Sequence, residues 1–152
     1  MEQRQPEPLR DVLASFYDRV WATSDQDAIS AAIDELVSPD CLVVGLPAGR
    51  DIARTGFKQF RAAFLGAFES ARITIDDCIE DGDRRAVRAT ATLHRGGVAF
   101  TMTGGGFATV RDGQLVEAYN QWDFLTLATA LGHVPPGALL ASLADPRPVA
   151  VA

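Results

Sequence analysis

The stretch Ala86-Val87-Arg88-Ala89-Thr90-Ala91-Thr92-Leu93-His94 decides the fold, because small or apolar residues alternate in it with polar ones. A period of two places successive side chains on opposite faces of a β-strand. Turn sequences lie on both sides of this strand and beyond it, at Asp81-Gly82-Asp83, Gly96-Gly97 and Asp112-Gly113. Glycine accepts the positive φ angles of tight hairpin turns, so we expect antiparallel neighbours.

The strand pattern continues on both sides of this stretch. We predict a strand bounded by Ile73 and Ile79, a long strand over 98–110 and a final strand over 114–123. Three glycines, Gly104-Gly105-Gly106, interrupt the long strand. Glycines inside a strand commonly mark a bulge or a bend, so the sheet is expected to curl.

Helical periodicity replaces this alternation in the first half of the chain. Apolar residues recur at helical spacing from Leu9 to Val20 and predict a first helix. A second helix is expected to begin at a cap, Asp25 or Asp27, and to end at Ser38-Pro39-Asp40. A short strand over 41–44 follows it. A third helix carries an aromatic stripe made of Phe57, Phe60, Phe64 and Phe68. The stripe indicates core packing, and it can also form the apolar wall of a pocket.

Helices followed by hairpin-connected strands predict an α+β fold. We expect a cone-shaped, curved antiparallel sheet of four to six strands, with three N-terminal helices enclosing a pocket. Residues 9–143 form a single domain in this interpretation, 1–8 a flexible leader and 144–152 a flexible tail. The two cysteines, Cys41 and Cys78, are expected as buried free thiols rather than a disulfide.

Charge and composition narrow the partners. The chain has 152 residues and a net charge of −6, which argues against nucleic acid or an anionic membrane as the main partner. No apolar run approaches the roughly 20 residues of a membrane span, and the N-terminus does not resemble a secretory signal. We therefore expect a cytoplasmic protein.

Several kinds of site lack their sequence signals. The glycine run has neither the lysine of a phosphate loop nor a dinucleotide-binding pattern. His94 and His133 have no cysteine or carboxylate at metal-ligand spacing, so no metal site is expected. No serine lies in a nucleophile elbow, and neither cysteine has the signature of a catalytic thiol. Acid–base chemistry remains.

Asp123 is the candidate for such chemistry. It lies between Trp122 and Phe124 at the end of an apolar strand, where partial desolvation would raise the pKa of its carboxyl and suit it to general acid–base catalysis. Aspartate also favours the N-cap of a helix, and a helix is predicted to begin at Phe124. Spacing alone leaves both interpretations open.

Three more residues share the parity of Asp123 and would face the same side of a regular strand: Glu117, Tyr119 and Gln121. Tyr119 and Gln121 could then donate hydrogen bonds to a carbonyl or enolate. The opposite set would face away: Ala118, Asn120 and Trp122. A bulge would exchange the two sets.

Other candidate residues have two interpretations each. Arg88 and His94 belong either to a solvent-facing polar face or to a site, in which Arg88 would stabilise an oxyanion and His94 would transfer protons. Tyr17 and Trp21 indicate core packing, or the Tyr17 hydroxyl lies at the base of a pocket.

A resemblance to a known family sharpens these interpretations. The segment 112–132 contains Asp112-Gly113, Glu117, Asp123 and Leu131-Gly132, and it resembles the C-terminal signature of SnoaL-like polyketide cyclases, within the nuclear transport factor 2-like superfamily. Gly49-Arg50-Asp51 also resembles the Gly-Arg-Glu that precedes the third helix in that superfamily.

The resemblance implies a cofactor-independent enzyme that acts on a hydrophobic, carbonyl-bearing small molecule. Asp123 would then be the base of an intramolecular aldol closure in antibiotic biosynthesis, and the protein would be a homodimer. The substrate-binding residues would be Tyr17, Trp21, Phe60, Phe64, Tyr119 and Gln121. Tyr119 replaces the usual tryptophan and Ala130 the usual glutamine, which leaves the substrate open. The alternatives are a non-catalytic binding module of the same fold, or a related isomerase, dehydratase or epoxide hydrolase.

Overall fold

A computed structural model describes residues 10–48 and 51–145. The predicted leader 1–8, residues 146–152 of the predicted tail and Gly49-Arg50 of the Gly-Arg-Asp motif lie outside the described residues. No helix in the described ranges is long and apolar enough to cross a membrane.

The described residues form helices on one side of a five-stranded sheet. The elements in chain order are α1 (Arg10–Phe16), a π-helical segment (Tyr17–Trp21), α2 (Gln26–Leu36), β1 (Val37–Val44), α3 (Arg54–Leu65), β2 (Ser70–Asp81), β3 (Arg84–Arg95), β4 (Val98–Arg111), β5 (Gln114–Trp122), α4 (Phe124–Ala130) and α5 (Ala138–Ala144). The α+β class and a strand number between four and six are thereby confirmed.

The sheet has the order β1-β5-β4-β3-β2. Strands β2 to β5 form an antiparallel meander, as the three hairpin turns predict. Strand β1 pairs in parallel with β5, so the expectation of a wholly antiparallel sheet is wrong. The long connection through α3 carries the chain from one edge strand, β1, to the other, β2, and the last strand then returns beside β1.

Strand β1 begins earlier than the sequence indicates. Helix α2 ends at Leu36, and Ser38-Pro39-Asp40 lie inside β1 rather than in a separate break. Proline lacks a backbone donor, which an edge strand tolerates because one side of it needs no ladder partner. Of the two predicted caps of α2, Asp25 and Asp27, the structure has Asp25, whose carboxylate accepts hydrogen bonds from the backbone N–H groups of Asp27 and Ala28.

Glycines in β4 allow the neighbouring strands to approach closely. Gly105 and Gly106 have φ angles of 158° and 157°. A Cβ atom at Gly106 would lie 1.7 Å from the carbonyl oxygen of Tyr119 in β5, and one at Gly105 would lie 1.9 Å from that of Val87 in β3. No side chain fits at either position while these strands stay paired.

The main core lies between the helices and the inner face of the sheet. Val20, Ile33 and Leu36 from the helical side pack in one cluster with Val110 and Leu115 from the strands. Burial of such side chains contributes about 1.5–3 kcal/mol each, which makes this layer the main source of stability. A second cluster, around Leu93 and Met102, is covered by α4 through Leu127.

Candidate functional site

A cavity of about 80 Å³ lies between the helical layer and the inner face of the sheet. Helix α3 and the π-helical segment contribute aromatic side chains to its lining, and β3 contributes small or aliphatic ones, among them Ala91 and Leu93. Among the described residues that line it, none carries an aspartate, glutamate, histidine, lysine or arginine side chain. The cavity is therefore suited to apolar molecules.

The aromatic stripe of α3 forms one wall of this cavity. The rings of Phe60 and Phe64 stack with centroids 5.6 Å apart, and Trp21 meets Phe57 and Phe64 edge-on at 6.0 and 6.4 Å. Phe57 is fully packed in the core, whereas Phe60 and Phe64 are half-buried. The stripe thus serves both of the functions that the sequence left open, core packing and a pocket wall.

A β-bulge exchanges the two faces of β5. Thr109 pairs with Glu117 and Val110 with Leu115, so Val116 is an extra residue in β5. Leu115 faces the core, and after the bulge the inward set consists of Ala118, Asn120 and Trp122, all of which line the cavity. The predicted inward set is therefore wrong for Glu117 and Gln121, which do not line the cavity.

Tyr119 and Gln121 instead contribute to a second depression, on the outer face of the sheet. This outer groove is open to solvent and is lined by side chains of β2 to β5, including Ile79, Arg88 and Phe107. Tyr119 is partly exposed and borders the cavity as well as the groove. Of the predicted substrate-binding residues, five line the cavity: Tyr17, Trp21, Phe60, Phe64 and Tyr119.

Two groups that line the cavity, the Tyr17 hydroxyl and the Cys41 thiol, remain neutral at physiological pH. Burial, with a smaller electrostatic contribution from Cys78, raises the pKa of Tyr17 to about 12. Burial and the nearby Glu117 carboxylate raise the pKa of Cys41 to about 11. The Tyr17 hydroxyl can therefore donate a hydrogen bond, but it is a poor source of a phenolate base. Cys41 and Cys78 form no disulfide with each other.

Asn120 adds an amide to this neutral lining. Its Nδ2 donates to the carbonyl oxygens of Val44 at 3.1 Å and Ala118 at 3.3 Å, which ties β1 to β5. Both contacts use the amide nitrogen, which leaves the amide oxygen available as an acceptor within a wall of apolar side chains.

Asp123 lies away from the cavity lining and is exposed. Its carboxylate accepts hydrogen bonds from the Thr126 backbone N–H at 2.9 Å and from the Thr126 hydroxyl at 2.6 Å, which makes it the N-cap of α4. These two bonds favour the charged form and hold the pKa of Asp123 below its ordinary value of 3.8. The predicted desolvation and raised pKa are wrong, and the alternative cap interpretation is confirmed.

Arg88 and His94 lie on the outer face of β3, because the side chains between them in the alternation, Ala89, Ala91 and Leu93, are buried on the inner face. Arg88 is exposed and forms an ion pair with Asp76 at 3.6 Å, and His94 contacts the Ser70 hydroxyl at 3.2 Å. The solvent-facing interpretation of this polar face describes both residues, and the structure does not bring them together with Asp123 at the cavity.

Arg61 is a buried residue that the sequence reasoning missed. Only 2% of it is exposed, and its guanidinium donates to the carbonyl oxygens of Val20 and Thr23, both at 2.9 Å. Burial lowers the pKa of this guanidinium. A signal was available, because Arg61 follows Phe57 by four residues and so shares the inward face of α3.

The comparisons with known proteins agree with this architecture. The family model described as a SnoaL-like domain matches residues 13–118, well over half of the chain, so the chain belongs to the SnoaL-like family. The match includes Asp112-Gly113 and Glu117 and ends before Asp123. A search of curated protein sequences finds no match.

Solved structures share the fold at low sequence identity. A loop-truncation variant of IdmH is 25% identical, with a TM-score of 0.71 over 82% of this chain and 99% of the other. Wild-type IdmH from Streptomyces antibioticus is assigned provisionally as a polyketide cyclase. A Bacillus cereus protein with the same provisional assignment is 22% identical, with a TM-score of 0.72 over 88% and 86% of the two chains.

A more distant similarity concerns the fold alone. A Catenulispora acidiphila protein with a ketosteroid isomerase-like fold, solved with trimethylamine, is 15% identical, with a TM-score of 0.66 over 80% of this chain and 92% of that one.

Within residues 10–48 and 51–145, no three His, Cys, Asp or Glu side chains cluster in a way that could hold a metal ion.

The capping role of Asp123 predicts a pH-dependent contribution to stability. Because the pKa of Asp123 is lowered in the folded state, its charged form stabilises the fold above the ordinary pKa, and this contribution is lost as pH falls through the lower folded value. The melting temperature of Asp123→Ala should lie below that of the native chain near pH 7, and the gap should shrink on acidification.

Asp123→Ser provides the matched control, because serine caps a helix without titrating in this range. The gap in melting temperature between the Ser and Ala variants should stay constant with pH. A native-to-Ala gap that is equally independent of pH would contradict the assigned hydrogen bonds.

Proposed function

We propose that the protein binds a hydrophobic small molecule, one that carries a carbonyl or hydroxyl oxygen, in the cavity between the helices and the sheet. The observation that carries this proposal is the lining itself: aromatic and aliphatic walls interrupted by a few neutral polar groups, such as the Tyr17 hydroxyl and the Asn120 amide. Small-molecule sites commonly combine an apolar wall with a few polar groups that orient the ligand.

The size of the cavity limits what fits without rearrangement. Its volume of about 80 Å³ lies below the roughly 300–1,000 Å³ of sites for drug-sized ligands. A single-ring ketone such as acetophenone has the proposed chemistry and is much smaller than a multi-ring ligand. A multi-ring ligand would have to displace the half-buried Phe60 and Phe64, whose rings stack on each other rather than being fully enclosed.

Filling the cavity from the sheet side should abolish binding. Ala91 is buried and lines the cavity, so Ala91→Leu would add three heavy atoms to the space that a ligand would occupy. We expect the native chain to bind acetophenone saturably at one site, measured by isothermal titration calorimetry. The variant should bind at least about fivefold more weakly, in line with an overpacking cost of about 1–3 kcal/mol.

Ala99→Leu is the control, because Ala99 is an exposed residue of β4 and is not among the cavity-lining residues. This variant should bind acetophenone as the native chain does. Equal binding by all three proteins would place the ligand elsewhere and contradict the proposal.

Polyketide ring closure is the second candidate, and family membership favours it. It would be a cofactor-independent aldol-type closure with Asp123 as general base and a neutral Tyr17 hydroxyl as donor to the enolate. Because Asp123 is an exposed cap, its side chain would have to leave Thr126 and approach the substrate. The roles of Arg88 and His94, antibiotic biosynthesis and a cytoplasmic location stay predictions.

The cyclase candidate predicts a large effect of a small change at Asp123. With a linear aromatic polyketide precursor as substrate, Asp123→Asn should lower turnover by about 10²–10⁴, because a general base is lost. Asp112→Asn is the control, since Asp112 lies in an exposed hairpin turn and asparagine tolerates its φ of 50°. Equal turnover by both variants and the native chain would exclude Asp123 as the base.

We also propose that two chains pair through the outer groove. Ile79 and Phe107 are 69% and 66% exposed, and the strand register places them in one row across β2, β3 and β4. Together they give the groove an exposed apolar patch, and such patches commonly mark interaction sites. Asp77 and Arg88 are register partners on β2 and β3, so the same surface carries both charges. A two-fold interface places one patch against itself, and a patch with both charges can complement its own copy.

A charge placed in this groove should separate the chains. We expect a dimer of the native chain in sedimentation velocity, and a monomer for Ile79→Glu, because the apolar contact of Ile79 would be replaced by a carboxylate that loses its hydration in the interface. Val98→Glu, at an exposed apolar residue beside the β3–β4 turn and outside the groove, should remain dimeric. A native monomer, or a dimeric Ile79→Glu variant, would contradict the pairing.

A further inference from the structure

The indole N–H of Trp21 is a buried donor without an acceptor. Trp21 is 8% exposed, and its Nε1 has no hydrogen-bond partner among the described residues. Buried donors are rarely left in this state, because the loss of hydration without compensation is unfavourable. Trp21 also lines the cavity, whose walls are otherwise mostly apolar. A molecule inside the cavity can supply the missing acceptor if the side chains that enclose Nε1 move aside when it binds.

The backbone around Trp21 has a form that is uncommon in proteins. Tyr17–Trp21 is π-helical, and π-helical turns occur frequently at functional sites. The wider turn brings two cavity-lining residues with neutral donors, Tyr17 and Trp21, to its two ends.

The surrounding structure holds Trp21 in a fixed position. Arg61 donates two hydrogen bonds, at 2.9 Å each, to the carbonyl oxygens of Val20 and Thr23, on either side of Trp21 in the chain. Phe57 and Phe64 contact the indole ring edge-on. Arg61 is 2% exposed, and its hydrogen bonds to backbone carbonyls on both sides of Trp21 leave the backbone of this segment little freedom. The segment that carries the donor is therefore in place before a ligand binds.

We infer that Trp21 Nε1–H is the polar anchor of the cavity and donates a hydrogen bond to a carbonyl oxygen of the bound molecule. The inference rests on the proposed function, and it narrows the ligand from any hydrophobic molecule to an apolar ketone or a similar carbonyl compound. Trp21 is in this account a specificity-determining residue, and Arg61 positions it.

Two ligands of matched shape test the anchor. Acetophenone and α-methylstyrene differ in a C=O group against a C=CH₂ group, so only acetophenone can accept the hydrogen bond. We expect the native chain to bind the ketone more tightly, relative to the alkene, than Trp21→Phe does. This variant keeps an aromatic ring and removes the donor. The ratio of the two dissociation constants should change by about two- to tenfold between the two proteins, which is the usual contribution of one hydrogen bond.

Trp122→Phe is the matched control, because Trp122 also lines the cavity but its indole nitrogen is not among the buried donors without a partner. It should change the affinity for both ligands by a similar factor. A direct observation on the native chain guards against misfolding of Trp21→Phe: the indole proton resonance of Trp21 should move downfield with acetophenone and not with α-methylstyrene.

The outcomes separate the two proposals. If both ligands bind, but the preference survives Trp21→Phe and the resonance does not move, the anchor is wrong and the apolar cavity stands as a binding site. The same pattern would result if a water molecule satisfied the indole N–H. If neither ligand binds the native chain, the proposed function fails, and the inference fails with it.

Discussion

The register shift between β4 and β5 determines which side chains the protein presents to its interior. One extra residue, Val116, exchanges the inward-facing and outward-facing positions in the remainder of β5. Successive side chains of a strand point to opposite faces of the sheet, so one extra residue moves every side chain after it to the other face. Asn120 and Trp122 thereby reach the cavity, and Gln121 moves to the outer groove. Without the shift, Glu117 would place a carboxylate toward the apolar core.

This arrangement separates charge from the cavity. On the outer face of the sheet Arg88 forms an ion pair with Asp76 and His94 contacts Ser70, and Asp123 caps α4 in solvent. The groups that remain inside are neutral, because burial raises the pKa values of the Tyr17 hydroxyl and the Cys41 thiol. Such a site can hold and orient a carbonyl compound by hydrogen bonds, whereas proton abstraction would need a base brought in from outside the lining.

The sequence predicted those features that depend on local pattern. Alternation over Ala86 to His94 and the glycine turns define the meander of β2 to β5, and helical spacing places Phe60 and Phe64 on one face of α3. The cap interpretation of Asp123 also follows from a local rule, since aspartate satisfies the first free N–H groups of a helix.

Features that depend on contacts distant in the chain could not be predicted in this way. The parallel pairing of β1 with β5 joins segments more than 70 residues apart, and no turn sequence marks it. The bulge at Val116 has no glycine to signal it. Desolvation of Asp123 was inferred from apolar sequence neighbours, Trp122 and Phe124, but adjacent side chains in a chain need not enclose each other. Solvent exposure is set by the packing of α4 on the sheet.

The central claim is that the interior cavity, rather than the outer groove, is the ligand site. A crystal structure of the native chain grown with acetophenone tests this most directly. We expect density for one ring beside Phe60 and Phe64, with the ketone oxygen within hydrogen-bond distance of Trp21 Nε1. Density for the ligand against Ile79 and Arg88 in the outer groove, with the cavity unchanged, would contradict the account.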